Sequence, residues 1–203
     1  SGVSHGLTRV KSFSQDDSHI FCTKDQIESE ILSFLNLLKE VYEDFGFEKP
    51  TFYLSLRPEN RTGNDDMWDH SESVMKNILE KSGMEFSIQD GEGAFYGPKI
   101  DITVPDALER EWQLGTVQLD FFASDKFGLN YINKDGDKEN VVLIHRAIFG
   151  SLERFFGILI EHFGGSFPLW LSPDQFSLIP ISENQFEHCK NIEEKLVSKG
   201  IRG

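Results

Sequence analysis

The stretch Val141–Ile160, VVLIHRAIFGSLERFFGILI, constrains the fold more than any other, because its apolar pattern changes from strand-like to helix-like across a single glycine. Val141–Ile144 is a short, wholly apolar run rich in β-branched residues, as expected of a strand covered on both faces, with His145 directly after it. Gly150 ends the extended segment, and Ser151 can cap a helix by accepting a backbone N–H. Leu152, Phe155, Phe156, Leu159, Ile160 and Phe163 then form an apolar stripe that packs a helix on the sheet. Ser151, Arg154 and Ile158 recur at helical spacing, which carries the Arg154 guanidinium on or beside that stripe near the first turn. Two readings of Arg154 stay open: a charge that snorkels to a nearby carboxylate, or an anion site.

The rest of the chain supplies partners for this unit. Ser1–Gly6 reads as a small-residue loop, and Leu7–Phe21 as two strands with Val10, Phe13, Ile20 and Phe21 as apolar members. Thr23–Gln26 has the T-x-x-Q form of a capping box. Ile27, Ile31, Phe34, Leu35, Leu38, Val41 and Tyr42 follow at helical spacing, so Gln26–Phe45 is a helix. Thr51–Leu56 alternates as a strand, and Asn64–Lys81 is a helix ended by Gly83. Met84–Ile88, Lys99–Val104 and Trp112–Phe122 are strand-like and suggest an antiparallel meander, followed by a polar hairpin loop at Tyr131–Asn140. Gly164–Gly165 stops the long helix. A strand at Phe176–Ile181 and a helix at Glu183–Lys199 then open a second unit too small to bury a core by itself, so the C-terminus reads as a cut.

Charge and cysteine usage narrow the function classes. Twenty Lys and Arg against 34 Asp and Glu give a formal charge of −14, a field that repels phosphate backbones and anionic membranes, so any nucleic-acid contact must be local. Cys22 and Cys189 show no framework spacing, which points to a reducing, cytoplasmic setting with Cys22 in the core. There is neither an apolar run approaching ~20 residues nor a secretory h-region, so no membrane partner is expected.

Three further stretches can carry chemistry. In a strand, Gln15, Asp17 and His19 project from one face, either as solvated surface or as one wall of a site. Three glycines in Gly91–Gly97 fit a wide hairpin or close approach to a ligand, and Tyr96 and Lys99 at the loop's exit suit a small charged molecule. Thr116, Gln118 and Asp120 share one face of a strand, while Val117, Leu119 and Phe121 share the other. His145 reads as a core histidine bonded to backbone or as a ligand, and no histidine shows metal spacing within the sequence.

The segments QDDSHIF, EGAFYGPKI, GTVQLDF, IHRAIFGSLERF and PLWLSP, in this order and at these separations, closely resemble the threonyl-tRNA synthetase family of class II aminoacyl-tRNA synthetases. The resemblance implies an α+β fold: a class II catalytic domain, an antiparallel sheet flanked by helices, over residues 1–170, and the beginning of an α/β anticodon-binding domain over residues 171–203. It implies a threonine–tRNA ligase that forms threonyl-adenylate from threonine and magnesium-bound ATP and passes the acyl group to tRNA(Thr), as a homodimer when full-length. By the same resemblance Arg154 grips ATP phosphate, with Lys99 as its catalytic companion. Arg9, Phe13, Gln113 and Thr116 lie on the ATP side, with Phe13 stacking on adenine. Gln15, Asp17, Tyr96, Gln118 and Ser151 line the substrate side. His19 and His145 resemble two of three zinc ligands; the third, a Cys, and the motif 2 Arg that holds the α-phosphate are expected upstream of Ser1. A synthetase-like module without catalysis and a small zinc hydrolase are the rival readings.

Overall fold

A computed structural model describes residues 4–47 and 49–203; the Ser1–Val3 part of the expected N-terminal loop lies outside them. The elements in chain order are β1 (Ser18–Cys22), α1 (Ile27–Asp44), β2 (Thr51–Ser55), α2 (Asp65–Ser82), β3 (Phe86–Gln89), β4 (Lys99–Pro105), β5 (Glu111–Asp120), α3 (Phe122–Phe127), β6 (Asn130–Ile132), β7 (Lys138–Asn140), β8 (Val142–Ala147), α4 (Leu152–His162) and α5 (Phe186–Val197). Six strands form one mixed sheet in the order β1-β8-β5-β4-β2-β3, and β6 and β7 form a separate two-stranded hairpin. Contacts divide the chain into two units, one ending at Leu159 and the other spanning Ile160–Gly203.

Helix signals in the sequence act as physical chemistry demands. The capping box at Thr23 and Gln26 leads into α1, whose Ile27, Ile31, Phe34, Leu35, Leu38 and Tyr42 are all buried. Asn64 caps α2 by accepting the Met67 N–H, and Gly83 ends it at φ +70°. One sheet face carries the core: Phe52, Leu54, Ile100, Ile102, Val117 and Leu119 are buried there. Gly115 lies on that face, where a Cβ would come within 2.8 Å of Leu38 Cδ1 and 3.0 Å of the Tyr42 hydroxyl. The Tyr42 hydroxyl donates to the Ile148 carbonyl at 2.8 Å, linking α1 to the segment after β8.

Five expectations are corrected. Between Leu7 and Phe21 there is one sheet strand, β1, and the earlier residues form a small turn in which His5 and Arg9 exchange backbone bonds. The meander is broken: β3 pairs parallel with β2, because α2 lies between them as a crossover, and β4 pairs with β2 and β5 instead. His145 does not follow the buried strand but lies within β8. Residues 176–181 form no strand among the described residues: the Ile181 N–H goes to the Gln185 side chain and the adjoining Gln175 N–H to the Arg202 carbonyl, single bonds that do not extend into a ladder. On α4 the buried residues are Phe155, Ile158 and Leu159, while Leu152 and Phe156 of the expected stripe are exposed. In the second unit, the Arg202 guanidinium donates to the carbonyls of Trp170 and Ser172, and α5 buries no residue.

Candidate active site

The sheet face opposite the core is polar, and a β-bulge extends it. The β4–β5 register shifts between Ile102 and Thr103, so that Ile102 faces Gly115 and Thr103 faces Gln113, with Leu114 as the extra residue. Without that insertion strict alternation would set Gln113 on the core side; with it, Gln113 joins Thr116 and Gln118 on the polar face. Its amide donates to Asp101 Oδ1 at 2.5 Å.

A cavity of about 430 Å³ opens on this face, lined among others by Arg9, Phe13, Gln15, Gln113, Thr116, Gln118, Ser151 and Arg154. Its floor turns at Gly150, which has φ +63° and no room for a side chain, since a Cβ would sit 2.5 Å from the Leu114 carbonyl oxygen. Ser151 then caps α4, its Oγ accepting the Arg154 N–H at 3.2 Å. The Arg154 guanidinium donates to the carbonyls of Thr8 (3.1 Å) and Gln113 (3.3 Å) and lies 5.4 Å from the centre of the Trp112 ring. Carbonyls orient a guanidinium without neutralising it, so its positive charge stays available at the cavity wall.

The N-terminal side of the cavity is stapled to this turn by two acids that the sequence reading passed over. The Asp16 carboxylate accepts the N–H groups of Ile148 and Phe149, and that of Glu153 accepts the Ser14 N–H. Phe13 remains 55% exposed at the cavity edge, presenting a ring face to a planar ligand. The sequence signal for Asp16 was weak, because a carboxylate next to Asp17 looks like a solvated pair.

The two histidines meet. β1 and β8 pair antiparallel with His19 directly opposite His145, and the ring centroids are 4.7 Å apart. Asp17 Oδ2 lies 3.9 Å from His19 Nε2, and Asp120 Oδ2 lies 3.1 Å from His145 Nε2. Burial works to raise the Asp120 carboxyl, but the bond from His145 and the N–H groups of Ala123 and Phe122 outweigh it and hold it below the ordinary carboxylate range. Tyr96 sits beside the pair, its ring centroid 5.5 Å from that of His145, and its hydroxyl donates to the Gln118 amide oxygen. Burial pushes its phenol pKa up. Lys99 lies across β4–β5 from Gln118, with its ammonium 2.7 Å from the buried Asp101 carboxylate. Asp17, Tyr96, Lys99 and both histidines border the 430 Å³ cavity's residues rather than line it.

The sequence pattern of the tRNA synthetase class II core domain (G, H, P, S and T) matches residues 1–163, so the chain belongs to that family. Within it the likeness is to threonine–tRNA ligases. The Threonine--tRNA ligase of Francisella philomiragia is 52% identical over 202 residues, which is 100% of this chain and 32% of that protein's length. The crystal structure of the RNA binding domain of threonyl-tRNA synthetase from Cryptosporidium parvum Iowa II superposes with a TM-score of 0.91 at 44% identity, covering 97% of this chain and 50% of the other. The putative threonyl-tRNA synthetase ThrRS-1 of Aeropyrum pernix superposes at 0.79 with 31% identity, covering 98% and 48%. The chain thus spans about a third of the length of the ligase relative it matches.

Proposed function

We propose that this chain is the catalytic portion of a threonine–tRNA ligase, which activates threonine with magnesium-bound ATP and transfers the threonyl group to tRNA(Thr) in the cytoplasm, as a homodimer when full-length. The observation that carries the reading is the cross-strand pair His19 and His145, 4.7 Å apart, on the same polar face as the cavity lined by Arg154. Two facing imidazoles, one bonded to a carboxylate through its second shell, suit zinc in kind and number as two of three protein ligands. Zinc held there would supply an open coordination position that recognises an amine and a neighbouring hydroxyl together, a distinction against valine that an apolar pocket makes only by about a hundredfold.

The chain's own residues supply position and charge. Asp17 offers a carboxylate to a substrate ammonium next to His19, and Tyr96 and Gln118 border the same space. Phe13 offers its ring to the adenine, Arg9, Gln113 and Thr116 take the nucleotide's side of the cavity, and Gln15 and Ser151 take the threonine side. A threonine carboxylate oxygen bonds to the α-phosphorus of ATP, and the bond to pyrophosphate breaks. Arg154 stabilises the negative charge that shifts onto the phosphate oxygens, and Lys99 adds a second cation nearby. The reaction needs alignment and charge stabilisation, with no side-chain nucleophile. The test is ATP–pyrophosphate exchange by the full-length protein, dependent on threonine and weak with valine. Absence of threonine-dependent exchange would overturn the assignment.

A further inference from the structure

The Asp101 carboxylate is 6% exposed, lies in the middle of β4 and gathers four partners from three strands. Its Oδ2 accepts the Ser55 hydroxyl at 3.0 Å and pairs with the Lys99 ammonium at 2.7 Å. Its Oδ1 accepts the Gln113 amide at 2.5 Å and the Thr116 hydroxyl at 3.2 Å. From Thr116 the network continues: Gln118 Nε2 donates to the Thr116 oxygen at 3.4 Å, and the Tyr96 hydroxyl donates to Gln118 Oε1. Of the four partners Gln113 and Thr116 line the cavity, as does Gln118 beyond them; Lys99 stands across the ladder from Gln118, and Ser55 lies on β2, away from it.

We infer that Asp101 is a positioning residue that fixes the donor and acceptor sense of the whole polar wall from Gln113 to Tyr96. The inference rests on the synthetase reading for what the wall binds, though not for its direction. An ionised carboxylate accepts and cannot donate, so the Thr116 proton is committed to Asp101. The Thr116 oxygen therefore receives from its other neighbour, which turns Gln118 so that its NH₂ faces Thr116 and its carbonyl faces Tyr96. Tyr96 must then spend its proton on Gln118, and its remaining lone pairs face the ligand space. In the same way Gln113 commits its NH₂ to Asp101 and presents its carbonyl oxygen outward. One buried charge thus makes both ends of the wall hydrogen-bond acceptors, suited to ligand ammonium and hydroxyl groups. It also holds Lys99, the cation across the ladder from Gln118. A carboxylate kept only for sheet stability would need no such consistent chain of donors and acceptors.

The decisive variant is Asp101→Asn in the full-length protein, which keeps shape but turns an NH₂ toward Thr116 or Gln113 and removes the partner of Lys99. Threonine KM in pyrophosphate exchange is expected to rise about tenfold or more, as for a site whose polar groups are misdirected, while Ser55→Ala stays within about twofold of the parent. Unchanged KM in Asp101→Asn, or equal losses of activity and Tm in both variants, would refute the assignment. Neutron diffraction from crystals grown of the unsubstituted full-length protein reads the direction without any assay: deuterons on Gln118 should point to Thr116, and the opposite orientation refutes it. A parent protein that lacks threonine-dependent exchange while showing that orientation would remove the synthetase reading and leave the network's direction standing.

Discussion

A Cβ placed on Gly97 would lie 1.7 Å from the Leu119 carbonyl oxygen, and one on Gly93 would lie 2.5 Å from that of Leu56, whereas Gly91 has open space and needs glycine only for its φ of +83°. Three glycines in one loop thus serve two physical ends, backbone contact with neighbouring strands and a left-handed turn, which composition alone left undistinguished. Gly97→Ala forces backbone against backbone and should lower stability by about 1–3 kcal/mol or more, seen as a fall in Tm; an unchanged Tm would show that the loop shifts freely. Arg154→Ala is different in kind. The N–H that Ser151 caps belongs to the main chain and survives the change, and the two carbonyls it releases are reachable by water, so Tm should hold. Threonine-dependent pyrophosphate exchange in the full-length protein should drop by about 10²–10³, the usual cost of one preorganised charge contact. Equal exchange rates before and after the substitution would remove Arg154 from the phosphate's environment.

At the scale of elements, the turn between β4 and β5 depends on one carboxylate. Asp106 accepts the N–H groups of Leu108 (2.8 Å) and Arg110 (2.9 Å), the Arg110 Nε–H (2.6 Å) and the Trp112 indole N–H (2.9 Å), and it spans a turn in which Glu109 adopts φ +60°. Burial pushes its carboxyl up, but the bonds from Trp112 and Arg110, with Leu108, prevail and bring it down to about 2. With an unfolded value near 3.9, the ionised group contributes stability that is complete above about pH 4 and is lost as pH falls toward about 2. Asp106→Asn sets an NH₂ against two donors, so it should cost about 1–3 kcal/mol at neutral pH, a gap that narrows below pH 4. Parallel Tm curves for the two proteins across that range would refute this account. Elements of this size were legible where the period of apolar residues is long and its ends are chemically marked, as in α1 with its capping box or α2 between Asn64 and Gly83. Pairing was not: that β3 runs parallel to β2 follows from the α2 crossover, a three-element relation, and the bulge at Leu114 shows in the sequence only as a change of parity, from Trp112 and Leu114 to Val117 and Leu119, which does not say which strand is opposite. Most of the site residues stand out locally, as polar groups on one strand face, at a loop exit or in a helix's first turn, but their roles, and Arg9 and Gln113 altogether, come through the family's motifs, since no local spacing announces that His19 and His145 are neighbours across a ladder 126 positions apart in the sequence.

For the whole molecule, the partition of charge and ligands decides what this stretch can do without the remainder of a ligase. A formal charge of −14 opposes nonspecific association with nucleic acid, so any hold on the proposed tRNA substrate must come from specific local contacts or from other parts of the protein. Among the described residues no three His, Cys, Asp or Glu side chains gather in a way that holds a metal; the site offers two imidazoles. A catalytic zinc normally takes three prepositioned protein ligands, so the proposed pair of imidazoles falls one ligand short. The isolated 203-residue chain, expressed and dialysed against metal-free buffer, is therefore expected to retain well under one zinc per molecule by elemental analysis, while a full-length ligase that includes it retains one. His19→Ala in the full-length protein should bring its zinc content down toward that of the isolated chain, because losing one of three ligands leaves the same pair count. Stoichiometric zinc on the isolated chain would show that a third donor is recruited from within residues 1–203, and would redirect the search to the carboxylates of Asp17 and Asp120, which already stand beside the two rings.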